Sequence, residues 1–204
     1  RYQKRLTNDY VGSVENLVTY IEQFDNADWS KLNTTVISNA IKNPINGLRT
    51  ADKITNTSGA NDRVWKDNLT VSVGINLNWS VMVRNINTDE FCISARPTTG
   101  TLQRVVFKFN GIADSDPSIN INSGTPVPYK KYLGEGWYEL GITVLTTTSV
   151  YDFEFDINRG GTVGSQVYLF AAQLTASAKP LPYVKTLNSA VTQSFTANPR
   201  YEEK

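Results

Sequence analysis

The run YDFEFDI places three carboxylates, Asp152, Glu154 and Asp156, at every second position. Strand side chains two residues apart share a face about 6 to 7 Å apart, a separation that suits acid/base work on a glycosidic bond. Tyr151, Phe153, Phe155 and Ile157 alternate with them, so the acidic row reads as the solvent side of a half-buried strand. Catalytic carboxylates need desolvation to part their pKa values, and a solvent row supplies none. The chain has no histidine and one cysteine, Cys92, in the apolar run EFCISA. That excludes histidine triads, histidine metal sites, thiolate zinc clusters and an intrachain disulfide. Cys92 is expected to be a small buried hydrophobe. The expectation is a chain that is not an enzyme and has no catalytic residues.

Sugar binding needs an exposed ring with polar neighbours. Of the four tryptophans, Trp79 alternates with Val81 and Val83 and reads as core. Trp137 opens an alternating strand beside glycines, which suits packing at a sandwich edge. Trp29 lies in an opening segment rich in Asn, Asp and Thr. Trp65 differs, standing in NDRVWKDN among Asn61, Asp62, Arg63 and Lys66. These five residues form the candidate ligand site, although Val64 or Trp65 must face inward if the segment is a strand. Asp114 and Asp116 in ADSDPS, with Asp62 and Asp67, offer hard oxygens for a structural calcium ion. No EF-hand spacing occurs, and Asp, Asn and Ser are ordinary turn formers, so no cofactor and no metal ligand are assigned. Asn-x-Ser/Thr triplets at Asn33, Asn56, Asn68 and Asn78 read as chance in an Asn- and Thr-rich chain.

The elements that must position these groups are strands. In LTVSVGINL, the residues Leu69, Val71, Val73, Ile75 and Leu77 read as one face. The same alternation runs through Trp79, Val81 and Val83, through Val105, Phe107 and Phe109, and through Tyr138, Leu140, Ile142 and Val144. VYLFAAQL is apolar on both faces, as a central covered strand would be. Turn signals such as NTSGAND, RPTTG, LGEG and NRGGTVG separate the runs, which predicts an all-β antiparallel jelly-roll-like sandwich. Leu17, Tyr20, Ile21 and Phe24 fall at helical spacing and predict a short N-terminal helical turn. The predicted organisation is an N-terminal docking or linker segment over 1–14, a sandwich domain over 15–193 and a polar tail over 194–204. A net charge of +1 gives no field toward nucleic acid or an anionic membrane. No apolar run approaches the roughly 20 residues of a bilayer-spanning helix, and no signal peptide is visible in the sequence.

Four phrases in order resemble a β-sandwich module of tailed-phage virion proteins. The first is NLVTYIEQFDNADWSK, through Asn16, Leu17, Tyr20, Glu22, Phe24, Asp25, Asn26, Ala27 and Trp29. The second is PINGLRTADK, through Pro44, Gly47, Thr50, Ala51, Asp52 and Lys53. GEGWYEL follows, through Gly134, Gly136, Trp137 and Tyr138, and the last match takes in Tyr168, Gln173, Leu174, Tyr183, Thr186, Val191 and Thr192. Ile21 and Glu139 depart from the usual Ser and Arg, and TASAKPLP lacks the usual Glu and Gly. The resemblance covers residues 16 to 193. It implies a structural virion protein, a head-fibre, capsid-decoration or tail-appendage subunit, of jelly-roll architecture like carbohydrate-binding and lectin-like modules. It implies other virion proteins as partners, a homo-oligomer with a trimer as first expectation, and host surface polysaccharide as a further ligand. The alternative is the carbohydrate-binding module of a secreted carbohydrate-active protein.

Overall fold

Fourteen strands build two large sheets and a small one in the computed structural model, which describes residues 12–158 and 161–195. The first half supplies β1 (Gly12–Asn16), β2 (Ser30–Leu32), β3 (Thr34–Lys42), β4 (Arg49–Asn56), β5 (Arg63–Thr70), β6 (Asn76–Asn85) and β7 (Glu90–Pro97). The second supplies β8 (Gln103–Lys108), β9 (Ser118–Ser123), β10 (Val127–Gly134), β11 (Trp137–Leu145), β12 (Val150–Ile157), β13 (Gln166–Thr175) and β14 (Val191–Phe195). Sheet I has the order β10-β11-β6-β13-β4-β3 and sheet II the order β2-β5-β12-β7-β8-β9, with every pairing antiparallel. β1 pairs with β14, Gly12 opposite Phe195 and Asn16 opposite Val191. The boundaries drawn after residues 14 and 193 fall inside these two strands. The rest of the terminal segments, 1–11 and 196–204, lies outside the described residues.

Period-two alternation places the core between the sheets. Trp79, Val81 and Val83 of β6 and Phe153, Phe155 and Ile157 of β12 are fully buried. Removing such side chains from water contributes roughly 1.5–3 kcal/mol each. β13 is buried on both faces: Leu169 and Leu174 face the core, while Phe170 packs outside sheet I with Met82 and Trp137. Ala171, at φ 57, sits in a register shift between Phe170 and Gln173.

Two sequence expectations are corrected. LTVSVGINL is not one strand, because β5 ends at Thr70 and β6 starts at Asn76. Gly74, at φ +79, turns the chain between them, and Val73 is exposed. The helical turn is also absent, and among the described residues no helix forms. Residues 17–29 instead make a series of turns, with the amides of Gln23, Asn26 and Trp29 donating to the carbonyls of Tyr20, Gln23 and Asn26. Tyr20 at φ 51 leaves the helical region. The amide of Phe24 donates to Asp52 Oδ2 at 2.8 Å, outside any helical ladder. Ile21, Phe24 and Trp29 still seal one end of the core, since all three are buried.

The first and last phrases meet in space. Asn16 Nδ2 donates to the carbonyls of Ala172 and Val184, and its Oδ1 accepts from the amides of Leu174 and Val18. Gln173 Oε1 accepts from the Val184 amide at 2.8 Å, and Thr186 Oγ1 donates to the Val18 carbonyl. Tyr183 and Lys185 both donate to Glu22. Burial, with Glu22 alongside, holds the Tyr183 hydroxyl above its ordinary range. These residues tie the opening segment to the closing one. The GEG phrase has its own reason: Glu135 and Gly136 lie at positive φ in the β10–β11 hairpin, and a Cβ on Gly136 would meet Asp114 Oδ1 at 2.1 Å.

Candidate functional site

The outward positions of sheet II form a polar face. Register aligns Trp65, Glu154, Ser94 and Arg104 in one row, and Arg63, Asp156, Cys92, Val106 and Asn120 in the next. The acidic row is therefore not a solvent face, contrary to the sequence expectation. Glu154 and Asp156 are each 1 % exposed. Arginines from three strands cover them. Glu154 Oε1 accepts from Arg63 Nη1 at 3.1 Å and from Arg96 Nε at 2.8 Å, and Oε2 accepts from Arg96 Nη2 at 3.2 Å. Arg104 Nη2 lies 3.2 Å from Asp156 Oδ2 and 3.7 Å from Glu154 Oε2, and its Nε donates to Ser94 Oγ. Asp152 is half-buried and accepts from the Asn68 amide. A general acid must lie within hydrogen-bond reach of the leaving oxygen. Glu154 and Asp156 are covered, so this pair cannot attend a glycosidic bond.

Burial pushes the Asp156 carboxyl up to about 6, with Arg104 pulling it down and Glu154 adding to the rise. In an unfolded chain an aspartate titrates near 3.9. The folded protein thus holds this proton to higher pH, and the linked stability is complete below about pH 4 and lost as pH rises through about 6. Urea titrations from pH 4 to 6.5 should show the wild type losing roughly 1–3 kcal/mol more than Asp156→Asn. Equal slopes would remove the assignment.

An open cleft of about 500 Å³ runs along this face over β7, β8 and β9. Its walls are Glu90, Arg104, Lys108, Asn120 and Asn122, and Val106 and Cys92 form the floor. The Cys92 thiol is buried, and burial raises it well above its ordinary value. Carboxylate, ammonium and amide groups over an apolar floor can hydrogen-bond the hydroxyls of an uncharged polyol and contact its C–H face. At the other side of the face stands Trp65, half-buried, with the Arg63 guanidinium 4.7 Å from its ring centroid and its indole N–H donating to Asp67. Trp65 and the Asn120 strand are four strand spacings apart, about 19 Å.

The five residues singled out in the sequence divide. Arg63 and Trp65 share the outer face. Lys66 points to the opposite side, where it pairs with Asp28, lies 4.5 Å from the Trp29 ring centroid and lines a second cleft of about 280 Å³. Asp62 is buried in the turn before β5, accepting from the Ser58 amide and hydroxyl, and Asn61 is exposed there at φ 55. The other carboxylates considered for calcium have partners too: Asp114 takes a bidentate grip from Arg84, Asp116 pairs with Lys130, and Asp67, in β5, accepts from Ser30. Sequence reading missed Glu90, Arg104, Lys108, Asn120 and Asn122. Their one common signal is that each occupies a polar place in an alternating or short apolar run.

No protein-family model matches the sequence, and no curated protein matches it. Solved structures do. The xylan-binding domain CBM22-1 of a Paenibacillus barcinonensis protein is similar over 83% of this chain and 98% of that one, at 12% identity and TM-score 0.49. The CBM22-1 and glycoside hydrolase modules of a Clostridium thermocellum endo-1,4-beta-D-xylanase, complexed with xylohexaose, are similar over 86% of this chain and 30% of that one, at 11% identity and TM-score 0.46. The enzymatically active domain of tailspike protein 4 of bacteriophage CBA120 is similar over 78% of this chain and 21% of that one, at 13% identity and TM-score 0.46. The chain thus spans less than a third of the xylanase and tailspike structures. All three are similarities of chain path.

Proposed function

We propose that this β-sandwich binds uncharged polysaccharide along the outer face of sheet II, from the cleft over β7–β9 to Trp65. The cleft is the observation that carries the reading, because its walls are hydrogen-bonding side chains and its floor is apolar. The charges of the face largely offset one another: Arg63, Arg96 and Arg104 meet Glu154 and Asp156, and Lys108 shares the cleft with Glu90. A neutral glycan fits this balance better than a strongly anionic one. Affinity electrophoresis on bacterial surface and plant cell-wall polysaccharides tests the reading. Trp65→Ala and Asn122→Ala should each weaken retention by roughly tenfold, the change given by one lost stacking or hydrogen-bonding contact of about 1.4 kcal/mol. Melting temperatures should stay within a few degrees of the wild type. Retention unchanged in both variants, or no retention of the wild type on any glycan, would end the proposal.

The virion setting belongs to the same proposal. It is supported by the four ordered phrases, the first and last of which meet as a tie between opening and closing segments. On this reading the polysaccharide is a host surface glycan and the partners are other virion proteins. Flanking genes for capsid or tail proteins would support it. Flanking genes for secreted carbohydrate-active enzymes would favour the binding-module alternative.

A further inference from the structure

Four strands border the two large sheets: β3 and β10 in sheet I, β2 and β9 in sheet II. Exposed edges invite pairing with another chain, and proteins blunt them with short strands, bulges, Pro or Lys. Three of these edges are blunted. β2 has three residues, β10 carries Pro128, Lys130 and Lys131, and β3 is broken by register shifts around Asn39, at φ 53. β9 has a register shift between Ile121 and Ser123, but no Pro, Lys or shift over Ser118–Ile121. Its sequence is SININS, and no charged residue occurs from Pro117 to Tyr129. Ile119 and Ile121 are 39% and 50% exposed. Among the described residues its outer edge has no strand neighbour.

We infer that β9 pairs antiparallel with β9 of a second copy of this chain, about a two-fold axis through Asn120. The sequence is self-complementary in that register. Ile119 then faces the second copy's Ile121, and Asn120 faces its own counterpart. Within sheet II, Ile119 and Ile121 pair with the core-facing Phe107 and Val105, whereas Asn120 pairs with Val106 on the cleft floor. Pairing through Asn120 therefore sets isoleucine beside isoleucine on the core side and amide beside amide on the cleft side, with both faces in register. Charge raises no obstacle. The charged side chains of β8 lie three strand spacings or about 14 Å from their counterparts, beyond the screening length of about 8 Å at physiological salt, and Asp116, just before β9, is paired with Lys130. An isologous contact of this kind closes at two copies.

The pairing also extends the polar face. Asn120 and Asn122 form the edge wall of each cleft, so the two clefts adjoin across the axis and each gains amides from the other copy. This last consequence rests on the proposed glycan reading; the pairing itself does not, and it is tested without glycan.

Light scattering coupled to gel filtration should give twice the 22.7 kDa of one chain, and Ile121→Lys should return it to one chain with an unchanged near-ultraviolet circular dichroism spectrum. Asn120→Cys should cross-link into a covalent dimer on mild oxidation, because residues facing across antiparallel strands have Cα atoms about 4.5–5.5 Å apart, within disulfide range. Leu48→Cys, exposed on the β3–β4 connection, should not. The native Cys92 is buried and does not compete. A single-chain mass at every concentration, a trimer, or a dimer that survives Ile121→Lys would overturn the inference. Should Ile121→Lys unfold, failure of Asn120→Cys to cross-link overturns it equally.

Discussion

Glu154→Ala is expected to lower the melting temperature by roughly 10 °C, the equivalent of about 3–5 kcal/mol for breaking a buried ion pair in a chain of this size. The carboxylate is 1 % exposed and receives Arg63, Arg96 and Arg104. Removing it leaves three guanidinium groups around Asp156 alone. They will not suffer equally. The side chains of Arg63 and Arg96 are 25% and 38% exposed and can turn toward water, whereas that of Arg104 is 6% exposed and cannot. Most of the cost should therefore come from Arg104, held beside one remaining carboxylate. Replacing the three most buried charges together, as Glu154→Leu and Asp156→Leu with Arg104→Met, should recover part of the loss, because an apolar cluster needs no compensation. Urea titration measures all three proteins. A loss below about 1 kcal/mol in Glu154→Ala, the size of an exposed pair, would show that this network exchanges freely with water.

The sheets were legible because period two is a strong signal: the faces read for Trp79 to Val83, Val105 to Phe109 and Tyr151 to Ile157 are the ones that line the core between the sheets. Alternation says that two faces differ, not what covers the polar one. Arg63, Arg96 and Arg104 come from β5, β7 and β8, and only strand order brings them over Glu154. The same limit hid the cleft, whose walls are drawn from three strands. Helical spacing misled for a different reason. Leu17, Tyr20, Ile21 and Phe24 can share a core-facing side in a helix or in a succession of three-residue turns, and the sequence pattern is the same for both. The left-handed backbone at Tyr20 and the pull of Asp52 on the Phe24 amide decide for turns. Burial holds that Asp52 carboxyl up at about 6, against the downward pull of the Asn39 and Phe24 amides. LTVSVGINL failed similarly, since a tight turn at Gly74 can preserve alternation across a break. For the candidate site, the sequence read Arg63, Trp65 and Lys66 as one group, whereas the fold puts Arg63 and Trp65 on the outer face of sheet II and Lys66 on the other side beside Asp28. Adjacent strand residues point to opposite faces, so that segment could never have presented both Trp65 and Lys66 to one ligand.

One position along β12 from Glu154, Phe155 faces the other way, and Phe155→Ala should cost about as much for an unrelated reason: roughly 3–5 kcal/mol for a buried aromatic truncated in a core. Its ring stacks on Trp79 at 4.4 Å between centroids and lies 5.9 Å from Phe91, 6.2 Å from Trp29 and 6.4 Å from Phe24. These rings come from sheet I, sheet II and the turns of the opening segment, so Phe155 is where the two sheets and the end seal meet. Its loss leaves a cavity that such large neighbours cannot fill without leaving their own rotamers, and incomplete collapse is what raises the cost above the transfer of a ring from water. The near-ultraviolet circular dichroism of the aromatic cluster should weaken, and the midpoint of urea unfolding should fall with its slope unchanged. Phe155→Leu keeps most of the volume and should lose well under half as much. The two neighbouring substitutions then separate the faces of one strand. Filling the cavity with benzene should recover stability in Phe155→Ala, because an apolar void stays dry and takes up such a ligand, and should do nothing for Glu154→Ala. Recovery in both, or in neither, would mean that the ring cluster is not the closed apolar centre that this packing describes.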